Sequence, residues 1–252
     1  MASVTVLGGA AAGGNTGQGC SGYLIRTDTL AFVLDFGPGV LPELKKHIDY
    51  RTLDAIVISH LHLDHTLDLG ALRFALAYSP NPASRRIPLW MPPEGVDFLK
   101  RFGSAFEDPD EPGRFFDKTF ATAEYEPTRA VAIGDARIRF HRTVHGIPCW
   151  AMRVSIPGAE DFFFTGDTGP TANLAIPARG CKVIACESGT LEGELGHMTP
   201  IQAGQFATDA GASTLILTHL WEEFGFETYR ERAASTFSGE VLIAKPGLTV
   251  EL

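Results

Sequence analysis

The sequence predicts an α/β protein built from two mixed β-sheets, each covered on its outer face by helices. Short β-rich runs alternate with helical ones along the 252 residues. The second half also repeats the element order of the first, hairpin strands followed by strand and helix units. The composition, with 44% hydrophobic and 20% charged residues, is that of a packed globular chain long enough to bury a sizeable core. A single domain over 1–252 is expected.

In chain order, Val4 to Leu7, Gly22 to Arg26 and Ala31 to Asp35 read as strands separated by glycine or Asp-Thr turns, an antiparallel start. Val40 to Ile48 reads as a helix, Ala55 to Ser59 as a buried strand, and Asp68 to Tyr78 as a second helix with Leu69, Leu72 and Leu76 as its apolar positions. From Ser79 the texture changes to Pro, Gly, Asp and Phe, with weak strands near Ile87 to Met91 and Phe120 to Tyr125. This stretch, 79–129, is expected as a lid or insert. Strands at Ala136 to Arg142, Cys149 to Ile156 and Asp161 to Thr165 follow, then Val183 to Cys186 and Thr214 to Thr218. Helices at Pro200 to Ala210 and Glu227 to Thr236 complete the second half.

A formal net charge of −9 and a pI of about 5.3 repel polyanions, so nucleic acid is not expected as a partner. Arg85-Arg86 and Lys100-Arg101 are small basic pairs of a kind usually found on solvated surface. The start of the chain carries no basic leader and runs directly into a strand, and no apolar stretch is long enough for a membrane. The four cysteines are scattered with no Cys-x-x-Cys pair, which excludes a zinc ribbon or redox motif and makes reduced thiols and a cytoplasmic location the expectation. A homodimer is left open.

The chemistry concentrates at Ser59 to His65, Ser-His-Leu-His-Leu-Asp-His. Imidazole and carboxylate together suit zinc or a similar divalent ion, with Mn2+ or Fe2+ as alternatives. In an extended segment His60 and His62 share a face and can point at one ion, and Asp64 and His65 in the following turn can point at a second. A lone histidine at a strand end is ordinarily a hydrogen-bonding loop residue; four ligand-type residues in six positions are not. Two sites need further ligands, and His145, Asp167 and His219 each follow an apolar run. His141 lies mid-strand and reads as structural, and His47 as solvated on a charged helix face.

With these residues in place the chain resembles the metallo-β-lactamase superfamily, whose His-x-His-x-Asp-His motif is followed by later His, Asp and His ligands over essentially the full length. The resemblance implies a four-layer αβ/βα sandwich, with His60, His62 and His145 on one ion, Asp64, His65 and His219 on the other, and Asp167 bridging. Asp35, in Phe-Val-Leu-Asp-Phe-Gly-Pro-Gly, is expected to orient a ligand histidine.

Gly196-His197-Met198-Thr199-Pro200 resembles the ribonuclease Z-like branch, where His-x-Thr precedes a helix leading to the last ligand. The residues agree: Thr199 is a good N-cap, Pro200 a favoured first position, Gln202 completes a capping box and Gly211 suits the C-terminal cap. Free N–H groups at this helix start, beside His197, are expected to bind an anion. The long Gly/Pro-rich arm that grips transfer RNA in that branch has no counterpart here, and Leu-Trp-Glu-Glu-Phe-Gly-Phe replaces its arginine-bearing continuation. The expected activity is therefore hydrolysis of a small anionic phosphodiester. Two divalent ions about 3.5–4 Å apart would share a hydroxide as nucleophile, with Asp64 orienting it and His197 contacting a phosphoryl oxygen or protonating the leaving alkoxide. The alternatives are a lactonase or thioesterase on the same ions, a non-catalytic metal-binding module, and an iron-bearing oxidoreductase.

Gly17-Gln18-Gly19-Cys20-Ser21-Gly22 satisfies Gly-x-Gly-x-x-Gly but leads into a strand, so it lacks the dinucleotide-binding context. Trp221, beside His219, is expected to line the site. For Phe102, Phe106, Phe115 and Phe116 a core role and a substrate-lining role are equally open, and Cys186 and Ser188, with no paired base, read as structural.

Overall fold

The structure, a computed structural model, describes residues 1–193 and 195–252. The first sheet takes β1 (Ser3–Gly8), β2 (Gly22–Arg26), β3 (Ala31–Leu34), β4 (Ala55–Val57), β5 (Ile87–Met91) and β6 (Phe120–Glu124). The second takes β7 (Val131–Ile133), β8 (Ala136–Arg142), β9 (Trp150–Ser155), β10 (Phe162–Phe164), β11 (Val183–Glu187), β12 (Thr214–Thr218) and β13 (Glu240–Ile243). The last strand, β14 (Thr249–Glu251), returns to the first sheet beside β1, so each sheet has seven strands.

The repetition of element order seen in the sequence becomes a repetition of pairing. In the first sheet β1, β2 and β3 are antiparallel and β3 to β6 parallel; in the second, β7 to β10 are antiparallel and β10 to β13 parallel. Parallel neighbours need a crossover, and helices supply it on the outer faces. On the first sheet these are α1 (Val40–Leu44), α2 (Leu63–Thr66), α3 (Asp68–Tyr78) and α4 (Gly95–Gly103), and on the second α5 (Ala175–Ala178), α6 (Pro200–Ala210) and α7 (Phe226–Ala234).

Period-two alternation sorts the side chains. Phe32, Leu34, Ala55 and Val57 turn inward to meet Phe140, Met152, Phe162 and Phe164 of the other sheet. Val33 and Ile56 turn outward onto Val40, Leu44, Leu69 and Leu72, as Phe163, Ile184 and Leu215 do onto Ala203, Phe206 and Tyr229. Three apolar layers therefore separate helices, sheet, sheet and helices, the four-layer sandwich expected.

Some expectations are corrected. The helix read over Val40 to Ile48 stops at Leu44, and His47 beyond it is paired rather than solvated, its Nε2 3.0 Å from the Glu43 carboxylate. The 79–129 stretch contains β5, α4 and β6, and β6 forms the edge of the first sheet. Its Phe115 and Phe116 are buried against Leu72 and Leu99, which decides their role as core. Among the described residues no helix is long and apolar enough to cross a membrane.

At the end of β3 the chain crosses the turn of α2 so closely that a Cβ on Gly37 would stand 1.8 Å from the Asp64 carbonyl oxygen. Phe36 N–H donates to the His65 carbonyl at 2.8 Å beside it. Gly37→Ala must therefore push α2 away, and a cost of about 3 kcal/mol is expected. Urea unfolding of the variant checks this, and an unchanged midpoint would refute the close-packing account.

Candidate metal centre

The seven residues singled out as ligands lie in loops that leave β4, β8, β10 and β12 at their C-terminal ends. His60 ends the extended segment, His62 is the N-cap residue of α2, and Asp64 and His65 fall within its single turn. This change from extended to helical backbone turns the four side chains of one short motif toward two places. His60, His62, His145 and Asp167 form one group and Asp64, His65, Asp167 and His219 another, each with its donor atoms within 4.8 Å of one another. Asp167 belongs to both.

Within the first group, His62 Nδ1 lies 3.1 Å from His60 Nε2 and 3.1 Å from His145 Nε2. Burial, reinforced by neighbouring imidazoles, holds the pKa of His60 and His62 down. The His145 Nδ1 side faces the Gly196 carbonyl at 3.2 Å, which fixes that nitrogen as the donor and leaves Nε2 with its lone pair. Three ring nitrogens thus converge, and a shared cation would resolve their lone-pair repulsion.

In the second group Asp64 Oδ2 stands 3.3 Å from both His65 Nε2 and His219 Nε2. Asp167 Oδ1 is 3.3 Å from His65 Nε2, and its Oδ2 is 3.4 Å from His219 Nε2. Burial lowers the pKa of His65 and His219, but the carboxylates outweigh it, holding His65 well up and pushing His219 to about 9. Burial likewise raises the two aspartates, and the imidazoles reverse the sign and hold both carboxyls below their ordinary range. The site thus demands positive charge among buried carboxylates. His65 Nε2 is buried without a hydrogen-bond partner of its own, as a lone pair reserved for a cation would be. The donor set fits divalent ions of the zinc type in both groups.

Asp35 orients His65, as expected. Fully buried at a left-handed φ of 58°, it receives His65 Nδ1 at 2.6 Å, the Ser59 backbone N–H at 2.7 Å and the hydroxyls of Ser59 and Ser21. A carboxylate held by four donors keeps the ring fixed and its Nε2 turned to the site.

His197 stands against both groups, its ring 5.3 Å from that of His145 and stacked 5.1 Å from that of His219. Its Nδ1 lies 2.9 Å from Oε1 of Glu187, which raises its pKa. Glu187 is fully buried and also accepts from the N–H groups of Thr168 and Gly189, so its oxygens serve structure and His197. The sequence reading missed Glu187. The available signal was an acid ending an otherwise apolar strand, Val-Ile-Ala-Cys-Glu.

The helix start beside His197 is corrected. The Thr199–Gln202 capping box forms in full, with Thr199 Oγ1 accepting Gln202 N–H and Gln202 Oε1 accepting Thr199 N–H. Pro200 has no N–H, so of the first four backbone positions only Ile201 retains a free donor. The cap consumes most of the groups expected to bind an anion, leaving Ile201 N–H and His197 as donors. All four cysteines are buried, and burial raises Cys20 and Cys181 to about 11 and Cys149 to about 12.

A β-lactamase superfamily domain matches residues 31–220. The chain belongs to that superfamily. It is 31% identical to the probable metallo-hydrolase YhfI of Bacillus subtilis, over 98% of this chain and 99% of that one. The crystal structure of YhfI superposes with a TM-score of 0.87 at 26% identity, covering all of both chains. A ribonuclease Z of Methanopyrus kandleri is 24% identical over 92% of this chain and 91% of its own. This superfamily member is a metal-dependent hydrolase.

Proposed function

We propose that the protein hydrolyses small phosphodiesters with a pair of divalent ions, Zn2+ being the best match to the donors. His60, His62 and His145 hold one ion, Asp64, His65 and His219 the other, and Asp167 is shared. Divalent ions held by these residues would supply activation of water at neutral pH and would offset charge developing on a phosphoryl oxygen. Asp64, beside both His65 and His219, orients the nucleophile. Glu187 favours the protonated form of His197 and faces its Nδ1, so that Nε2–H would be the proton given to the leaving alkoxide.

The observation that carries this reading is His197, backed by a buried carboxylate and in ring contact with one ligand of each group. An alkoxide leaving group needs such a proton, whereas a thiolate does not. Sequence kinship to a protein named ribonuclease Z supports phosphorus over carbonyl carbon as the reacting centre. Side-by-side turnover of bis(4-nitrophenyl) phosphate, a lactone and an acyl thioester by the zinc-loaded chain tests it, with elemental analysis expected near about two ions per chain. Hydrolysis of the lactone or thioester without the diester would sink the proposal.

A further inference from the structure

We infer that the substrate is a singly charged diester with apolar or aromatic ester groups, and that the site selects against any molecule carrying further negative charge. This rests on the phosphodiesterase reading and narrows it.

The first observation is where the cations are not. Of 21 lysines and arginines, none falls in residues 52–72, 143–152, 154–178 or 183–229, the segments that bear His60 to His65, His145, Asp167, His197 and His219. Residues 1–25, whose glycine-rich loop reaches the same mouth, also have none. Several arginines bordering these segments are engaged elsewhere: Arg142 lies over the Trp150 ring at 5.0 Å, and Arg153 donates from Nε to Asp161 at 2.7 Å. Arg232 donates to the Leu191 carbonyl and pairs with Glu192. Sites built for polyanions place Arg or Lys where each phosphate falls. Here the ions and His197 can neutralise one phosphoryl group, and nothing on these segments serves a second.

The second observation is which exposed or loop-packed side chains adjoin the ligands along the chain. Leu63, directly after His62, is 56% exposed, and Val144, directly before His145, is 48% exposed. Leu195 is fully exposed and precedes Gly196, whose carbonyl holds His145. Trp221, two residues after His219, packs its ring so close to Gly13 that a Cβ there would stand 2.9 Å from it. The segment bearing Trp221 is clasped to that loop: Asn15 donates to the Leu220 carbonyl at 3.0 Å, and Thr16 donates to Glu222 from N–H and hydroxyl. Single exposed aliphatic residues are commonplace, but these stand one or two residues from a ligand or its holder. Among the described residues Glu192, Glu222 and Glu223 lie near Leu195 and Trp221 in the chain, and their sign repels additional phosphate. Apolar ester groups gain contact here; extra anionic groups lose.

The test compares a dinucleoside monophosphate with the same molecule carrying a 5′-terminal phosphate, alongside bis(4-nitrophenyl) phosphate, on the zinc-loaded full chain. The added phosphate is expected to lower kcat/KM at least about tenfold. Calorimetric binding of a non-hydrolysable diester analogue with and without the terminal phosphate should show the same preference. Leu195→Lys should recover most of the loss on the phosphorylated substrate with metal content unchanged, and Trp221→Ala should raise KM for bis(4-nitrophenyl) phosphate more than it lowers kcat. Equal or better binding and turnover of the phosphorylated molecule overturns the inference while leaving phosphodiesterase activity standing. Turnover of no diester, with hydrolysis of a lactone or thioester, overturns the underlying reading and this one with it.

Discussion

Asp167→Ala is expected to strip metal from both donor groups at once and to lower kcat by at least about 10³-fold. Its carboxylate is buried and lies 3.3 Å from His65 Nε2, 3.4 Å from His219 Nε2, 3.6 Å from His60 Nε2 and 3.8 Å from His145 Nε2. Losing it removes a shared ligand and leaves five imidazoles with Asp64 as the remaining carboxylate in the two groups. His145→Ala and His219→Ala each touch one group and should each spare part of the metal. Elemental analysis of the three purified variants decides the matter. An Asp167→Ala protein that kept the full metal content would show that the two groups do not share this residue.

His197→Ala is expected to keep its metal yet lose about 10²- to 10⁴-fold in kcat, the range for removal of a positioned general acid. Glu187→Gln separates proton chemistry from packing. The Glu187 carboxylate raises the His197 pKa, so the protonated, active form persists to higher pH in the native protein, and kcat should fall as pH rises through that raised value. Removing the charge lowers the pKa, and the alkaline limb of the kcat profile should move to lower pH. A limb that stayed in place would mean that His197 is not the titrating acid. A substrate whose leaving group needs no proton, such as a 4-nitrophenolate, should lose much less on His197→Ala than an alkyl ester does.

Legibility in the sequence followed local physics. β2, β5, β8, β12, α3 and α6 were read to the residue because alternation, glycine turns or a complete capping box marked both their ends. β13 and β14 were missed: their residues are exposed or half-buried at sheet edges, where pairing with a distant strand supplies the order that a hydrophobic pattern does not. α4 lay hidden in a Pro-, Gly- and Asp-rich stretch whose apolar positions make sense only against Phe115 and Phe116. At the site, the ligand types in Ser59 to His65 were legible because they are crowded into one short run. Grouping them with His145, Asp167 and His219 needed the superfamily resemblance, since loops from different strands meet only in three dimensions. Glu187 carried no motif, and the helix-start expectation fell short because a sequence shows the cap residues but not that they leave a single free donor, Ile201 N–H.

The buried thiols bear on how this protein responds to chemical stress. A thiol with a pKa near 11, as for Cys20 and Cys181, is ionised in only about one molecule in 10⁴ at pH 7. Cys149 is suppressed further, and all four side chains are out of contact with solvent. Alkylating agents and peroxide therefore find no ready thiolate on the folded chain. Inactivation by an oxidant would accordingly have its origin elsewhere than in these four thiols.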